Sequence, residues 1–268
     1  IVFGDWSSDV CSSDLPPLER LQFRVLTHNP TRRAPSASVE GARIRRPRRM
    51  ATPTANTQPA APAPSPAETW DLWQDGAHAP AFNMAVDEAL LLTANRRGRP
   101  LLRFYGWDRP AASIGYIQQY DAAPGHLAVV RRPTGGGVVF HDHDFTYTVA
   151  VPAGHWLTGL DRTRSYHDIN RAVQDGLQRC DLEARLASSQ IAHSVDRLTM
   201  VCFANPTRYD ILRDGLQVAG SAQRRTREGI LHQGSIHFGG PLPVPRALLA
   251  TALTAGFRAA LHLELAPF

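Results

Sequence analysis

"VVRRPTGGGVVFHD", residues 129–142, sets three consecutive glycines between two β-branched runs, with two arginines on one side and a His-Asp pair on the other. The flanks read as strands, since Val and Phe suit a half-buried pleated surface. Glycines joining two strands form a loop whose N–H groups can point outward together and whose surface something can approach closely. A strand follows where a Walker A loop needs Lys-Ser/Thr and a helix, and the spacing of a dinucleotide fingerprint is absent. From these residues alone two readings stay open: a hairpin tip, or a loop facing an anionic or strongly polar ligand that Arg131 and Arg132 would favour.

Working outward, "PLLRFYGW", "AASIGYI" and "LAVVRRP" precede the loop as short strands, and "GVVFHDHDFTYTVAVP" alternates most clearly at Phe145, Tyr147 and Val149. "APAFNMAVDEALLLTANRRG" carries apolar residues at Phe82, Ala85, Val86, Ala89, Leu90 and Leu92 and ends in arginines before Gly98, the pattern of an amphipathic helix. Further helices are expected over "SYHDINRAVQDGLQRC" and "PRALLATALTAGFRAAL", with strands at "TMVCF", "YDILRDGLQVAGSAQ" and "GILHQGSIHF" between them. Helices before, between and after groups of hairpin-like strands predict one α+β domain over residues 67–268.

Residues 1–66 differ in kind. "TPTANTQPAAPAPSPAE" is a Pro/Ala/Thr run too poor in apolar surface to offset its ordering entropy, so a disordered extension and linker are expected. Met50 precedes that run, which leaves two origins open for residues 1–49: a read-through upstream of the natural start, or a native basic tail. Much of the +5 formal charge sits there, in "RRAPSASVEGARIRRPRRM", which lacks interleaved aromatics, so nucleic acid is not an expected partner. All 29 basic residues are arginine; the chain contains no lysine.

Cys11, Cys180 and Cys202 are odd in number and lack CxxC spacing, which argues against a disulfide framework or a zinc site and makes a reducing cytoplasm the expected compartment. No apolar run reaches the length of a membrane span. His141, Asp142, His143 and Asp144 alternate along a strand, but no second cluster completes a ligand set, so no metal is expected. His141 reads as a hydrogen-bonding wall residue or a solvated strand end.

Five stretches together resemble the biotin/lipoate protein ligase and acyltransferase family: "NMAVDEALL", "LRFYGWDRPAASIGYIQ", "VVRRPTGGGVVFHDHDFTYTV", "CFANPTRYDI" and "GLQVAGSAQRRTREGILHQGSI". The resemblance runs over about residues 68–240. It implies a mixed, largely antiparallel sheet flanked by helices and attachment of octanoyl or lipoyl groups to lysines of acceptor domains. By the same resemblance, Cys202 falls on the nucleophile of cysteine-dependent octanoyltransferases. The acyl chain would lie against Trp107, Ile114, Gly115 and the loop Gly135, Gly136, Gly137, with Arg132, Thr134, His141, Gly220, Ser221 and Ala222 around its reactive end. Backbone N–H groups near Gly220 and Ser221 would hold the oxyanion with help from Gln217, and His141 or His232 could take a proton. The middle glycines instead resemble ligases, because octanoyltransferases of this type often carry Gly-Gly-Arg where this chain has Gly135, Gly136 and Gly137. A transferase would need no cofactor and would draw on acyl carrier protein, a ligase would need Mg-ATP, and a non-catalytic acyl- or carrier-binding homologue is a third reading.

One departure bears on that choice. Where the family has a lysine in G-x-K-x-x-G-x-A-Q, this chain has Gln217. For a cysteine enzyme, losing a cation that lowers the thiol pKa by about two units reduces the thiolate fraction roughly 25-fold. The higher intrinsic nucleophilicity of a more basic thiolate returns roughly eightfold, a net loss of about threefold. An adenylating ligase loses the charge that offsets phosphate and is hit harder, unless Arg224 or Arg225 compensates. Transfer from a thioester is therefore the expected chemistry.

Overall fold

A computed structural model describes residues 68–188 and 207–268. The expected N-terminal extension, the "TMVCF" strand and Cys202 lie outside the described residues. The elements in chain order are β1 (Glu68–His78), α1 (Pro80–Leu92), α2 (Ala94–Arg97), β2 (Leu101–Trp107), β3 (Ala111–Ile114), a single 3-10 turn at Tyr120–Ala122, β4 (Ala128–Arg131), β5 (Val139–His141) and β6 (Phe145–Pro152). There follow α3 (Trp156–Gly159), α4 (Arg162–Gln178), β7 (Arg185–Leu186), β8 (Ile211–Arg213), β9 (Leu216–Thr226), β10 (Gly229–Ile236), α5 (Arg246–Leu261) and β11 (Leu263–Pro267).

The main sheet runs β11-β1-β2-β6-β10-β9-β8-β7. Its β11/β1 and β1/β2 pairings are parallel and the others antiparallel, which is the mixed, largely antiparallel arrangement expected. A smaller sheet, β4-β3-β5, carries the glycine loop between β4 and β5.

Period-two alternation divides the main sheet into two chemically different faces. Leu102, Phe104, Tyr147, Val149, Ile230 and Ile236 face α4 and α5, whose Ile169, Val173, Leu177, Leu249, Leu253 and Phe257 complete the principal core. The two helices approach closely: a Cβ on Gly176 would come within 2.7 Å of the Leu253 Cα. Arg103, Tyr105, Thr148, Gln233 and Ser235 occupy the alternate positions and join the face covered by α1. With both faces covered, β2, β6 and β10 are buried along nearly their whole length.

Pro80 starts α1 at a position that requires no N–H, and Gly98 closes α2 in the left-handed region at φ +69°. The buried side of α1 coincides only in part with the apolar one read from the sequence: Leu90 is buried and Val86 packs against it. Phe82 is 49% exposed and Leu92 61%, whereas Asn83 and Asp87 are fully buried beside Met84, Leu90 and Leu91. The reason is Arg103, whose guanidinium is buried in the sheet and bonds Asp87 Oδ1 at 2.8 Å and Asn83 Oδ1 at 2.8 Å. A buried cation requires anionic and amide partners, and α1 turns to supply them. None of the described helices is long and apolar enough to cross a membrane.

Candidate active site

A narrow cleft of about 30 Å³ opens between the polar face of the main sheet and the small sheet. Tyr105, Thr146, Gln233 and Ser235 line it from the main sheet, Ser113, Arg132, Val139 and His141 from the small sheet and its loop, and Gly220, Ser221 and Ala222 from β9. Trp107, Met84 and Gly234 complete the wall. Of the residues expected at the site, Trp107, Arg132, His141, Gly220, Ser221 and Ala222 meet there.

The glycine loop packs against Gly115. Gly136 adopts φ +89°, and its carbonyl lies where a Cβ on Gly115 would come within 2.1 Å. Backbone thus packs on backbone at Gly115, where a side chain is excluded for that reason, while a Cβ on Gly135 would meet nothing within 4 Å. Gly115 and the loop brace one another. Ile114, expected in the acyl wall, instead sits in the small sheet's own core with Ala112, Ala123 and Val138.

The arginines brace the loop as well. Arg132 donates through Nε and Nη2 to the Gly135 carbonyl, through Nη2 to that of Gly137, and through Nη1 to the carbonyl and hydroxyl of Ser113. These engage all five donors of a guanidinium. Arg131 Nη1 bonds the carbonyls of Gly115, Tyr116 and Gln118, and Arg224 Nη1 bonds that of Pro133. Thr134 anchors the loop from below by donating to Gln233 Oε1 at 2.6 Å. Gln233 Nε2 in turn donates to Asp87 Oδ2 at 2.7 Å, linking the loop to the buried Asp87–Arg103 pair.

His141 is 3% exposed and its ring stacks on Trp107 at 3.8 Å. Its Nε2 lies 2.8 Å from Ser113 Oγ and its Nδ1 2.8 Å from Asp144 Oδ2. The same oxygen accepts the hydroxyls of Thr146 at 2.8 Å and Ser235 at 2.7 Å. Burial opposes charge on Asp144, but His141 and the two hydroxyls outweigh it and hold the carboxyl below its ordinary value. Ser113 was not singled out in the sequence, and Asp144 was considered there only as part of a metal cluster with His141; the available signal was the three-residue step from His141 to Asp144 around a turn.

His232 lies elsewhere. It is fully buried on the opposite face of the sheet, beside Tyr147 and Tyr166, and burial pushes it down to about 3. It is a core residue bonded to Gln223 at 3.0 Å, outside the cleft.

Gln217 is buried on β9, and neither its amide oxygen nor its nitrogen has a hydrogen-bond partner among the described residues. A Cβ on Gly220, a cleft residue, would meet Gln217 Nε2 at 2.4 Å and Asp210 Oδ1 at 3.7 Å. Burial pushes Asp210 up to about 6, against the pull of the Thr207 backbone N–H and hydroxyl that donate to it. The Gln217 amide is an uncommitted donor beside the cleft.

The family described as the lipoyl protein ligase A/B catalytic domain matches residues 79–257. Octanoyltransferase LipM of Bacillus subtilis (strain 168) is 38% identical over 181 residues, covering 63% of this chain and 65% of the relative. The protein of that name from Kyrpidia tusciae is 39% identical over 182 residues, 63% of this chain and 66% of the relative. The chain thus spans slightly less than two thirds of the length of these relatives. Among solved structures, the T. acidophilum protein Ta0514 with bound lipoic acid superposes with a TM-score of 0.62 at 21% identity, over 75% of this chain and 89% of its own. Lipoate-protein ligase A bound with ATP gives 0.61 at 21% identity, over 75% and 89%. At that identity the likeness speaks for the fold, a lipoate ligase-type mixed sheet. With the family match spanning most of the described domain, from α1 to α5, the chain belongs to the lipoyl protein ligase A/B catalytic domain family.

Proposed function

We propose that the chain is an acyltransferase of protein lipoylation, moving an octanoyl or lipoyl group from a carrier thioester through Cys202 to a lysine of an acceptor domain. In the first step Cys202 sulfur attacks the thioester carbonyl, the bond to the carrier sulfur breaks, and the carrier leaves as its thiol. In the second, the acceptor amine attacks the acyl-cysteine, giving an amide and restoring the Cys202 thiol. The Gln217 amide would donate to the carbonyl oxygen as charge develops on it; its lack of a partner among the described residues and its position beside the cleft residue Gly220 support that role. The name octanoyltransferase carried by relatives near 38% identity supports this reading.

The observation that carries it against ATP-dependent ligation is electrostatic. Arg132 is the only cationic side chain among the described cleft residues, and its five donors are bound to the protein. With Gln217 neutral, no described cleft group is left to offset nucleotide phosphates, so a transferase that needs no cofactor fits better than a Mg-ATP ligase. Acyl carrier protein as donor and lipoyl domains as acceptors follow from the same reading, as does a reducing, cytoplasmic setting for the thiol.

The test is intact-mass analysis of the full chain incubated with octanoyl carrier protein without ATP. An octanoyl adduct that disappears in Cys202→Ala supports transfer. Acylation of a lipoyl domain that requires ATP, with no adduct, supports ligation and rejects the proposal.

A further inference from the structure

Ser113, His141 and Asp144 form a hydrogen-bonded chain that ends in the cleft, and the transfer mechanism above leaves it without a role. Asp144 Oδ2 already accepts from Thr146 and Ser235 and faces His141 Nδ1, so that nitrogen carries a hydrogen. Nε2 is then a bare acceptor. Its partner at 2.8 Å is Ser113 Oγ, which must donate. The same Oγ accepts from Arg132 Nη1 at 3.2 Å, leaving one acceptor site on an oxygen that lines the cleft. Trp107, held by its own bond from Nε1 to Thr146 Oγ1 at 2.8 Å, fixes the plane of the imidazole by stacking on it.

We infer that Ser113, backed by His141 and Asp144, is the contact that takes the proton from the attacking amine in the second half of the reaction. The inference rests on the acyl-transfer reading. An amine delivered as an ammonium ion is not a nucleophile, and the Arg132 charge beside Oγ disfavours that ion. As the nitrogen attacks the acyl carbon, the C–N bond forms and the C–S bond breaks. The amine hydrogen passes to Ser113 Oγ while the serine hydrogen passes to His141 Nε2. The imidazolium, stabilised by Asp144, then returns its proton to Ser113 Oγ, which releases its own to the departing thiolate, so the chain ends as it began. Ser113 is the catalytic contact; His141 and Asp144 are positioning residues behind it. The charged groups facing this chain are Asp144 on the β5–β6 turn, Arg132 after β4, and Arg246 of α5, which bonds the Asp144 carbonyl at 3.0 Å.

The test separates proton removal from everything else. The full chain is loaded with octanoyl from carrier protein, and the acyl-enzyme is discharged either by a lysine of a lipoyl domain or by hydroxylamine, a nucleophile that is unprotonated near neutral pH. In Ser113→Ala the ratio of lysine discharge to hydroxylamine discharge is expected to fall by roughly 10²-fold or more. His141→Gln, which keeps a polar group near Nε2 but cannot accept the proton, should lower the ratio similarly. Ser113→Ala removes only Oγ and leaves the Ser113 carbonyl that Arg132 also holds, so the loop keeps its brace. An unchanged ratio, whether both rates fall together or neither falls, overturns the inference, as does an octanoyl ester on Ser113 in the Cys202→Ala chain, which would make Ser113 a nucleophile. Absence of any adduct on the unmodified chain rejects the transfer reading and the inference with it.

Discussion

Replacing Asp87 by alanine should unfold this protein more readily than any change on its surface and should also disable the site. The Asp87 carboxylate is wholly buried and accepts four hydrogen bonds: Arg103 Nη1 at 2.8 Å, Tyr105 OH at 2.9 Å, Thr148 Oγ1 at 2.7 Å and Gln233 Nε2 at 2.7 Å. Its removal strands a guanidinium that is 0% exposed, leaving Asp75 as the remaining anion on Arg103 at 2.8 Å. Breaking one side of a buried pair costs about 3–5 kcal/mol. For a domain of this size that corresponds to a melting temperature roughly 6–20 °C lower. Urea denaturation followed by tryptophan fluorescence, read at constant m value, gives the free energy directly. Arg103→Met combined with Asp87→Leu should cost less than the two single changes together, by roughly 1–3 kcal/mol, because neither charge is then left alone. A loss below about 1 kcal/mol for Asp87→Ala, the range of an exposed ion pair, would refute the claim that this pair organises the fold. Since Gln233 links Asp87 to Thr134, acyl transfer should also fall at temperatures where the variant is still folded.

Three further outcomes follow from the geometry. His232 stays neutral in the folded chain down to about pH 3, but takes a proton near pH 6.5 when unfolded, so its contribution to stability is lost as pH falls below about 6.5. Asp210 acts oppositely: folded, it keeps its proton up to about pH 6, so its contribution is present below about pH 4 and lost as pH rises through 6. Between about pH 4 and 6 the two cancel. His232→Gln should therefore gain stability relative to wild type on acidification across that window, by up to about 1.4 kcal/mol per pH unit, and Asp210→Asn should lose it; urea titrations parallel to wild type would refute burial as the cause. Gly115→Ala places a Cβ 2.1 Å from the Gly136 oxygen and must displace the loop; transfer should drop by on the order of 10²-fold, and full activity in a thioester assay would contradict the bracing role. Gln217→Lys brings an ammonium beside Asp210 and the cleft. It should pull the Asp210 titration below 6, seen by NMR, and raise the rate of acyl-enzyme formation about threefold.

Much of the fold was legible because local patterns and tertiary demands agreed. The strands at "PLLRFYGW" and "GILHQGSIHF", and the helices that became α4 and α5, lie where alternation and 3.6-residue periodicity put them. Where they disagreed, the reading went astray. α1 carries apolar residues at Phe82, Ala85, Val86, Ala89, Leu90 and Leu92, yet turns Phe82, Ala85, Ala89 and Leu92 outward, because the buried Arg103 of β2 needs Asn83 and Asp87. The clue was present as two polar residues four apart beside Met84, Leu90 and Leu91. β1 and β11 were not anticipated, since their stability comes from parallel pairing with each other and with β2, a long-range contact that no local window contains.

Residue types by themselves determined the α+β class, a glycine loop between two strands, the family motifs and the absence of lysine, since each is a matter of local preference or of chemistry that a one-dimensional string records; that β3 separates those two strands was a matter of long-range pairing. Only the folded sheet decided which neighbours those residues meet. It sent His232 into hydrocarbon and His141 into the cleft through opposite faces of strands, committed the arginines to loop carbonyls, and joined Ser113 to an aspartate 31 positions along the chain. The physical reason is that a hydrogen bond or a desolvation cost depends on what lies within a few ångströms, and strand pairing brings distant segments to that range.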